Sequence, residues 1–426
     1  MRIEIFPGAS GDCVLVTSSD GRRLLADAGM PKAYDAFIAE PLAKLRDNGE
    51  IDVAYISHVD QDHIGGVLRM LDDEVKWRAF EHSQANGGRL REPKAPRPPR
   101  IGQVWHNAFL EDIERTEAID IGAAVAASAD VLSGLNAALT DGEADNAAAS
   151  ARMLALSVGE AIEVNWRIGA DQLDIPLNPD FGGALMTARP DGPIALGSLS
   201  ITVLGPTREE LEELRTFWIE WLRPRKQRNE ELKRQHQRDA EAMGTAVSPL
   251  GLAEISRELA LAVEKDVTPP NLASLVLLVE ESDGKRLLLT GDAGDQTLLR
   301  YFEEAGLFDA NGLLEVDVLK VPHHGAHNSF SDEFVRRVRA RHYVFCGDGE
   351  HHNPEPKVVA GYLDAVRQAP LAGGDTTFWF NWSSTRALKF KDLWDEVEAM
   401  FAAATAPANV RRRSLRKTDT RLVLDP

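Results

Sequence analysis

Ser57–Gly66 reads SHVDQDHIGG and packs two histidines and two aspartates into the six residues His58–His63. The apolar run IDVAYI precedes it and a glycine pair closes it, the pattern of a strand that ends in a loop and restarts as a helix. Loops at the C-terminal ends of strands are where α/β sheets commonly place their sites. Four such groups buried together would cost several kcal/mol in unpaired charge unless a cation sat among them. A metal held by His58, Asp60, Asp62 and His63 is therefore expected, with Gly65 and Gly66 letting the next helix approach closely.

Around this stretch, residues 1 to 80 alternate short apolar runs (RIEIF, CVLVTS, RRLLADAG, VAYIS) with Gly and Asp turns and helical segments. The rhythm resumes from Leu272 with ASLVLLVE, KRLLLTGDAG, EVDVLKVPHHG, HYVFCGDG and TTFWFNW, each apolar run ending in polar residues. This predicts one α/β core in two parts, 1–108 and 269–392, with a return strand at 196–206. An Ala-rich helical insertion is expected at 109–195, a charged one at 207–268, and a helical and basic tail at 393–426, whose segment ANVRRRSLRKTDTRLVLDP is basic and then strand-like. The Pro-rich segment Arg89–Arg100 reads as a surface loop.

The chain has 426 residues, a 43% hydrophobic fraction and no apolar run long enough to span a bilayer. Its first residues lack the basic head and apolar stretch of a signal peptide, so a cytoplasmic protein with no membrane association is expected. Cysteine occurs only at Cys13 and Cys346, which leaves no disulfide framework and no thiolate zinc cage. Any metal must be held by histidine and carboxylate. A net charge of −19 argues against broad nonspecific adhesion to nucleic acid, whose binding draws on Lys and Arg.

The His58–His63 stretch resembles the HxHxDH signature of the metallo-β-lactamase superfamily, with Asp60 in place of the second histidine. That HxDxDH form is similar to the ComEC-like branch. GASGDCVLV with RRLLADAG, NLASLVLLVE with KRLLLTGDAG, and VDVLKVPHHG resemble further segments of that branch, in the same order. The resemblance implies an αββα sandwich with large α-helical insertions, and a hydrolase acting through a hydroxide bridging two divalent metals, zinc or manganese with magnesium also open. It implies His58 and Asp60 as ligands of one metal, Asp62 and His63 of the second, Asp292 bridging, and His323 completing the second site. His323 is preferred to His324 because adjacent strand residues point to opposite faces. Asp27 is expected to brace a ligand by hydrogen bonding.

The third histidine usual for the first metal has no clear motif here. His106 is the best candidate and His82 a weaker one, with plain packing or surface roles as the alternatives. Asp62 is expected to orient the nucleophile, Lys320 to meet developing charge, and a histidine, His324 or His352, to protonate the leaving oxygen. Relatives carry a histidine before proline where this chain has Asn353, and His352 or His351 could still reach a substrate oxygen as general acid, with a solvated loop role as the alternative. The implied substrate is a phosphodiester, nucleic acid or nucleotide. An ester, lactone or thioester substrate remains the alternative, as does a scaffold that binds a protein partner through its insertions. The basic segments RLREPKAPRPPR, RPRKQRNEELKRQ and RRRSLRK are candidates for phosphate contact.

Overall fold

The computed structural model describes residues 1–107, 160–188 except 162, 192–214, 273–402 except 372, 373 and 388, and 408–426. Strands β1 (Arg2–Ile5), β2 (Val14–Thr17), β3 (Arg23–Ala26), β4 (Ile51–Tyr55) and β5 (Ile101–Trp105) form one sheet with β14 (Leu422–Leu424), in the order β14-β1-β2-β3-β4-β5. The second sheet holds β6 (Ile194–Leu196), β7 (Leu199–Gly205), β8 (Val276–Glu281), β9 (Arg286–Leu289), β10 (Leu314–Lys320), β11 (Val338–Phe345), β12 (Thr376–Phe380) and β13 (Val410–Ser414). It runs from β13 at one edge to β6 at the other.

Both sheets are mixed. Strands β14 to β3 pair antiparallel and β3 to β5 parallel, whereas β6 to β9 pair antiparallel and β9 to β13 parallel. Alternation along the strands sorts apolar side chains into three layers. Val53, Tyr55 and Val318 face inward between the sheets. Ala54 packs outward with Ile64, Val67 and Leu71 of the helix Gln61–Ala85. Leu319 packs outward with Phe302, Phe334 and Tyr362 of the helices Asp295–Glu304, Asp332–Arg337 and Pro356–Gln368. The result is a four-layer αββα sandwich.

The basic C-terminal tail supplies an edge strand to each sheet. After the helix Lys391–Ala399, β13 adds to one sheet and β14 to the other, so residues 410–424 complete both. Pairings this remote in sequence leave only a weak local signal. Of the Ala-rich insertion, residues 160–161 and 163–168 are helical, and Ala161, Val164 and Ile168 join the outer layer beside Gln61–Ala85. RPRKQRNEELKRQ lies outside the described residues. Among the described residues, no helix is long and apolar enough to cross a membrane.

Candidate metal centre

The strand directions bring five loops to one edge of the sandwich. Asp12 lies just before β2, Asp27 follows β3, and His58–His63 follow β4. Asp292 follows β9, and His323 and His324 follow β10. Two hydrogen bonds stitch the sheets together here, from Leu275 N–H to the Ser57 carbonyl (2.7 Å) and from the Tyr55 hydroxyl to the Leu275 carbonyl (2.5 Å). The helix beginning at Gln61 puts Asp62 and His63 in its first turn, with His63 N–H donating to the Asp60 carbonyl at 2.9 Å. Its glycines permit close seating, since a Cβ at Gly66 would fall 2.0 Å from the Ala28 carbonyl oxygen and one at Gly65 2.8 Å from Pro31. At Gly11 a Cβ would fall 1.7 Å from the Asp62 carbonyl oxygen, which presses the Asp12 loop onto the signature.

At the centre stand two histidines held from behind by aspartates. His63 Nδ1 donates to Asp27 Oδ2 at 2.9 Å, and His324 Nδ1 donates to Asp12 Oδ1 at 3.1 Å. Asp27 is itself fixed by Ser57, which donates through its backbone N–H (2.8 Å) and its hydroxyl (2.7 Å). Carboxylates placed this way fix the ring and raise its basicity as a ligand. The two Nε2 atoms then face each other at 3.2 Å. Asp292 reaches both, Oδ1 lying 3.4 Å from His63 Nε2 and Oδ2 3.1 Å from His324 Nε2, and Asp62 Oδ2 lies 3.4 Å from His324 Nε2. His63, His324, Asp12, Asp27 and Asp292 are all buried, as is Asp62 at the start of its helix.

The other predicted residues are less central. His58 is buried, and its Nε2 has no hydrogen-bond partner among the described residues, lying 3.5 Å from Asp60 Oδ2 and 3.9 Å from Asp292 Oδ2. Asp60, 20% exposed at its side chain, stands at the rim. His323 also stands at the edge, its Nε2 3.8 Å from Asp292 Oδ2 and its Nδ1 3.1 Å from the Ser329 hydroxyl.

The structure thus brings His324, rather than the expected His323, into the centre of the cluster. The alternation rule behind that expectation does not apply, because neither residue is on a strand. His323 (φ 47°), His324 (φ 55°) and Gly325 (φ 86°) form three successive left-handed positions after β10. This strained turn swings His324 inward.

Lys320 is buried, its ammonium 2.5 Å from Asp12 Oδ2 and 3.4 Å from Asp292 Oδ1, and it donates to the Gly291 carbonyl at 2.9 Å. It neutralises the cluster from behind. His352 is exposed in the loop after β11, and its ring makes no hydrogen bond among the described residues. His106 is buried with both ring nitrogens unpaired among the described residues, and burial pulls its pKa down to about 3. It directly follows β5, which pairs in parallel with β4, but it is not among the four residues whose ligand atoms lie within 4.8 Å of one another. His82 is exposed near the far end of its helix, about 28 Å from His63 at 1.5 Å per residue.

Asp12 is the site residue that sequence reasoning passed over. Its signal was present in GASGDCVLV, but a role facing residue 324 arises only from the fold.

The charges interlock. Burial opposes ionisation of Asp12, but Lys320 and His324 outweigh it and hold the carboxyl at about 2. Asp292 is held well below the ordinary range against its own desolvation by His324, His63 and Lys320. Burial likewise opposes protonation of His63 and His324, yet the carboxylates around them raise both well above the ordinary imidazole value. Protons thus stand where a cation's charge would be wanted. One ligand atom from each of Asp12, His63, Asp292 and His324 lies within 4.8 Å of the others. With the unpaired Nε2 of His58, this donor set of imidazoles and carboxylates fits a divalent cation.

Residues 7–105 match the family model described as the Metallo-beta-lactamase superfamily. The fold is a metallo-β-lactamase sandwich. Over 99 residues the chain is 30% identical to ComE operon protein 3 of Bacillus subtilis (strain 168), a stretch that is 22% of this chain and 12% of that protein. Among solved structures, it is similar to the metallo-beta-lactamase fold protein YhfI from Bacillus subtilis. That likeness has 9% identity, covers 100% of both chains and has a TM-score of 0.32. The superfamily match and the Asp/His cluster agree in marking this as a candidate divalent-metal site.

Proposed function

We propose that the protein is a phosphodiesterase acting on a nucleic acid or nucleotide through two divalent cations, zinc or manganese. The observation that carries the hydrolytic reading is the pair of facing histidines, His63 and His324, each held through Nδ1 by an aspartate and joined at Nε2 by Asp62 and Asp292. His63, His324, Asp62 and Asp292 would hold one cation. His58 and Asp60 would hold the other, with Asp292 shared and His323 alongside. Bound divalent cations supply Lewis acidity toward a phosphoryl oxygen and an ionised water at neutral pH.

The chain's own residues do the rest. Asp27 and Asp12 keep the histidine rings in one tautomer and orientation, Lys320 offsets part of the carboxylate charge, and Asp62 orients the attacking water. The phosphodiester substrate class rests on the four ordered motifs and on the likeness to ComE operon protein 3 over 99 residues.

The test is hydrolysis of bis(p-nitrophenyl) phosphate with manganese, zinc or magnesium, run beside Asp62→Asn. Metal-dependent turnover that disappears in the variant supports the reading. Turnover of lactones or thioesters without phosphodiesters would transfer the site to the ester-hydrolase alternative.

A further inference from the structure

Breaking an ester to an alkoxide needs a proton for the leaving oxygen, and the cluster is poorly suited to give one. His63 and His324 are buried and bound at both ring nitrogens, and Lys320 is enclosed by Asp12, Asp292 and the Gly291 carbonyl. A different histidine stands outside it. His327 lies three residues beyond His324, its Cα within about 11 Å of that residue's by chain length alone. It belongs to the turn that reaches back to the cluster through Ser329, whose hydroxyl contacts His323.

His327 is 60% exposed at its side chain, yet it is not free to wander. Its backbone N–H donates to Glu355 Oε1 at 2.9 Å, and its Nδ1 donates to the same oxygen at 2.6 Å. Glu355 is anchored in turn, since its own N–H donates to the Gly325 carbonyl at 3.1 Å, and Lys357 lies 3.1 Å from its second oxygen. Burial would raise the Glu355 carboxyl, but the hydrogen bonds from His327 and Lys357 outweigh it and keep it ionised. A single exposed ion pair contributes little to stability. A carboxylate that fixes Nδ1 and leaves Nε2 in solvent is, however, the arrangement that supports an imidazolium as a proton donor.

From this pair we infer that His327, oriented by Glu355, is the general acid that protonates the leaving oxygen. The inference rests on the hydrolase reading above. As the attacking water oxygen bonds to phosphorus, the bond from phosphorus to the leaving oxygen breaks and its electron pair takes the His327 Nε2 proton. The water's proton passes to solvent, from which His327 regains its own. Glu355 is a positioning residue that stabilises the cationic ring.

Leaving-group dependence tests this. Wild type, His327→Ala and Glu355→Gln are assayed on thymidylyl-thymidine, whose leaving group needs a proton, and on the p-nitrophenyl ester of thymidine monophosphate, whose leaving group does not. The expected result is a loss of roughly 10²–10⁴-fold in kcat on the dinucleotide for His327→Ala, a far smaller loss on the aryl ester, and the same selectivity in weaker form for Glu355→Gln. Equal losses on both substrates, or none, would overturn the assignment. If wild type turns over neither phosphodiester, the substrate reading has failed, and the same comparison is made with an alkyl and an aryl carboxylic ester. Absence of turnover there as well overturns the general acid. Ring ¹⁵N shifts give a readout independent of turnover. Neutral His327 should carry its proton on Nδ1 and lose that bias in Glu355→Gln, and an Nε2–H tautomer in wild type would contradict the pair's role.

Discussion

The Nε2 atoms of His63 and His324 lie 3.2 Å apart although 261 residues separate them in sequence. The contact joins the helix Gln61–Ala85 of one half of the sandwich to the turn after β10 of the other. Each ring is fixed by an aspartate from a third and a fourth loop, so the site is a property of the closed fold.

The two histidines after β10 should be separable by mutation. His324→Ala should lower metal-dependent kcat/KM by about 10²-fold or more, because it removes a group in contact with His63, Asp62 and Asp292. His323→Ala should cost less, since the nearest carboxylate to its Nε2 among the described residues is Asp292, at 3.8 Å. Steady-state kinetics at saturating metal decide, and a larger loss for His323→Ala would reverse the assignment.

Asp12→Asn and Asp27→Asn should each weaken metal affinity by about 10–100-fold, the range found when a carboxylate behind a ligating histidine is removed. Titration calorimetry with zinc or manganese measures it. Unchanged affinity would show that the Nδ1 contacts at 3.1 and 2.9 Å do not position the rings.

Much of this site was legible in the sequence, and the remainder was hidden for definite reasons. The HVDQDH spacing after IDVAYI located β4, the loop and the following helix because every contact involved is local. The relative placement of His323 and His324 is not legible from strand alternation, because the PHHG backbone is left-handed at His323, His324 and Gly325. Asp12 and the closing strands β13 and β14 depend on partners more than 300 residues away in the first case and on sheet edges in the second. Composition and periodicity carry no record of such pairings. The basic character of RRRSLRK was visible, but the fold uses it in a sheet edge, where Arg411 pairs with Asp375 and Arg412 with Glu398.

Without metal, stability should depend on pH in two directions. Asp12, lowered from 3.8 to about 2, and Asp292, also lowered, contribute stability that is present above 3.8 and lost as pH falls through their folded values. His63 and His324, raised above 6.5, contribute stability that is present below 6.5 and lost as pH rises through their folded values. Denaturant unfolding in chelator should therefore show a plateau between 3.8 and 6.5 with declines on either side. A steady rise through the alkaline range would contradict the proton-filled cluster.

Gly66→Ala should destabilise the fold although it lies in a helix. Alanine gains about 1 kcal/mol in helix propensity over glycine. Its Cβ would sit 2.0 Å from the Ala28 carbonyl oxygen, and backbone must shift to relieve that. Overpacking of this kind costs about 1–3 kcal/mol or more, so the net should be a lowered Tm. A raised Tm would mean that the helix does not seat as closely as the structure shows.

The most direct measurement is equilibrium dialysis of purified protein against zinc or manganese, with Asp292→Asn alongside. If the Asp/His cluster is a metal centre, the wild type takes up divalent cation tightly and loses most of that binding when the carboxylate that reaches both His63 and His324 is neutralised. Equal uptake by the two proteins, or none by either, would contradict it.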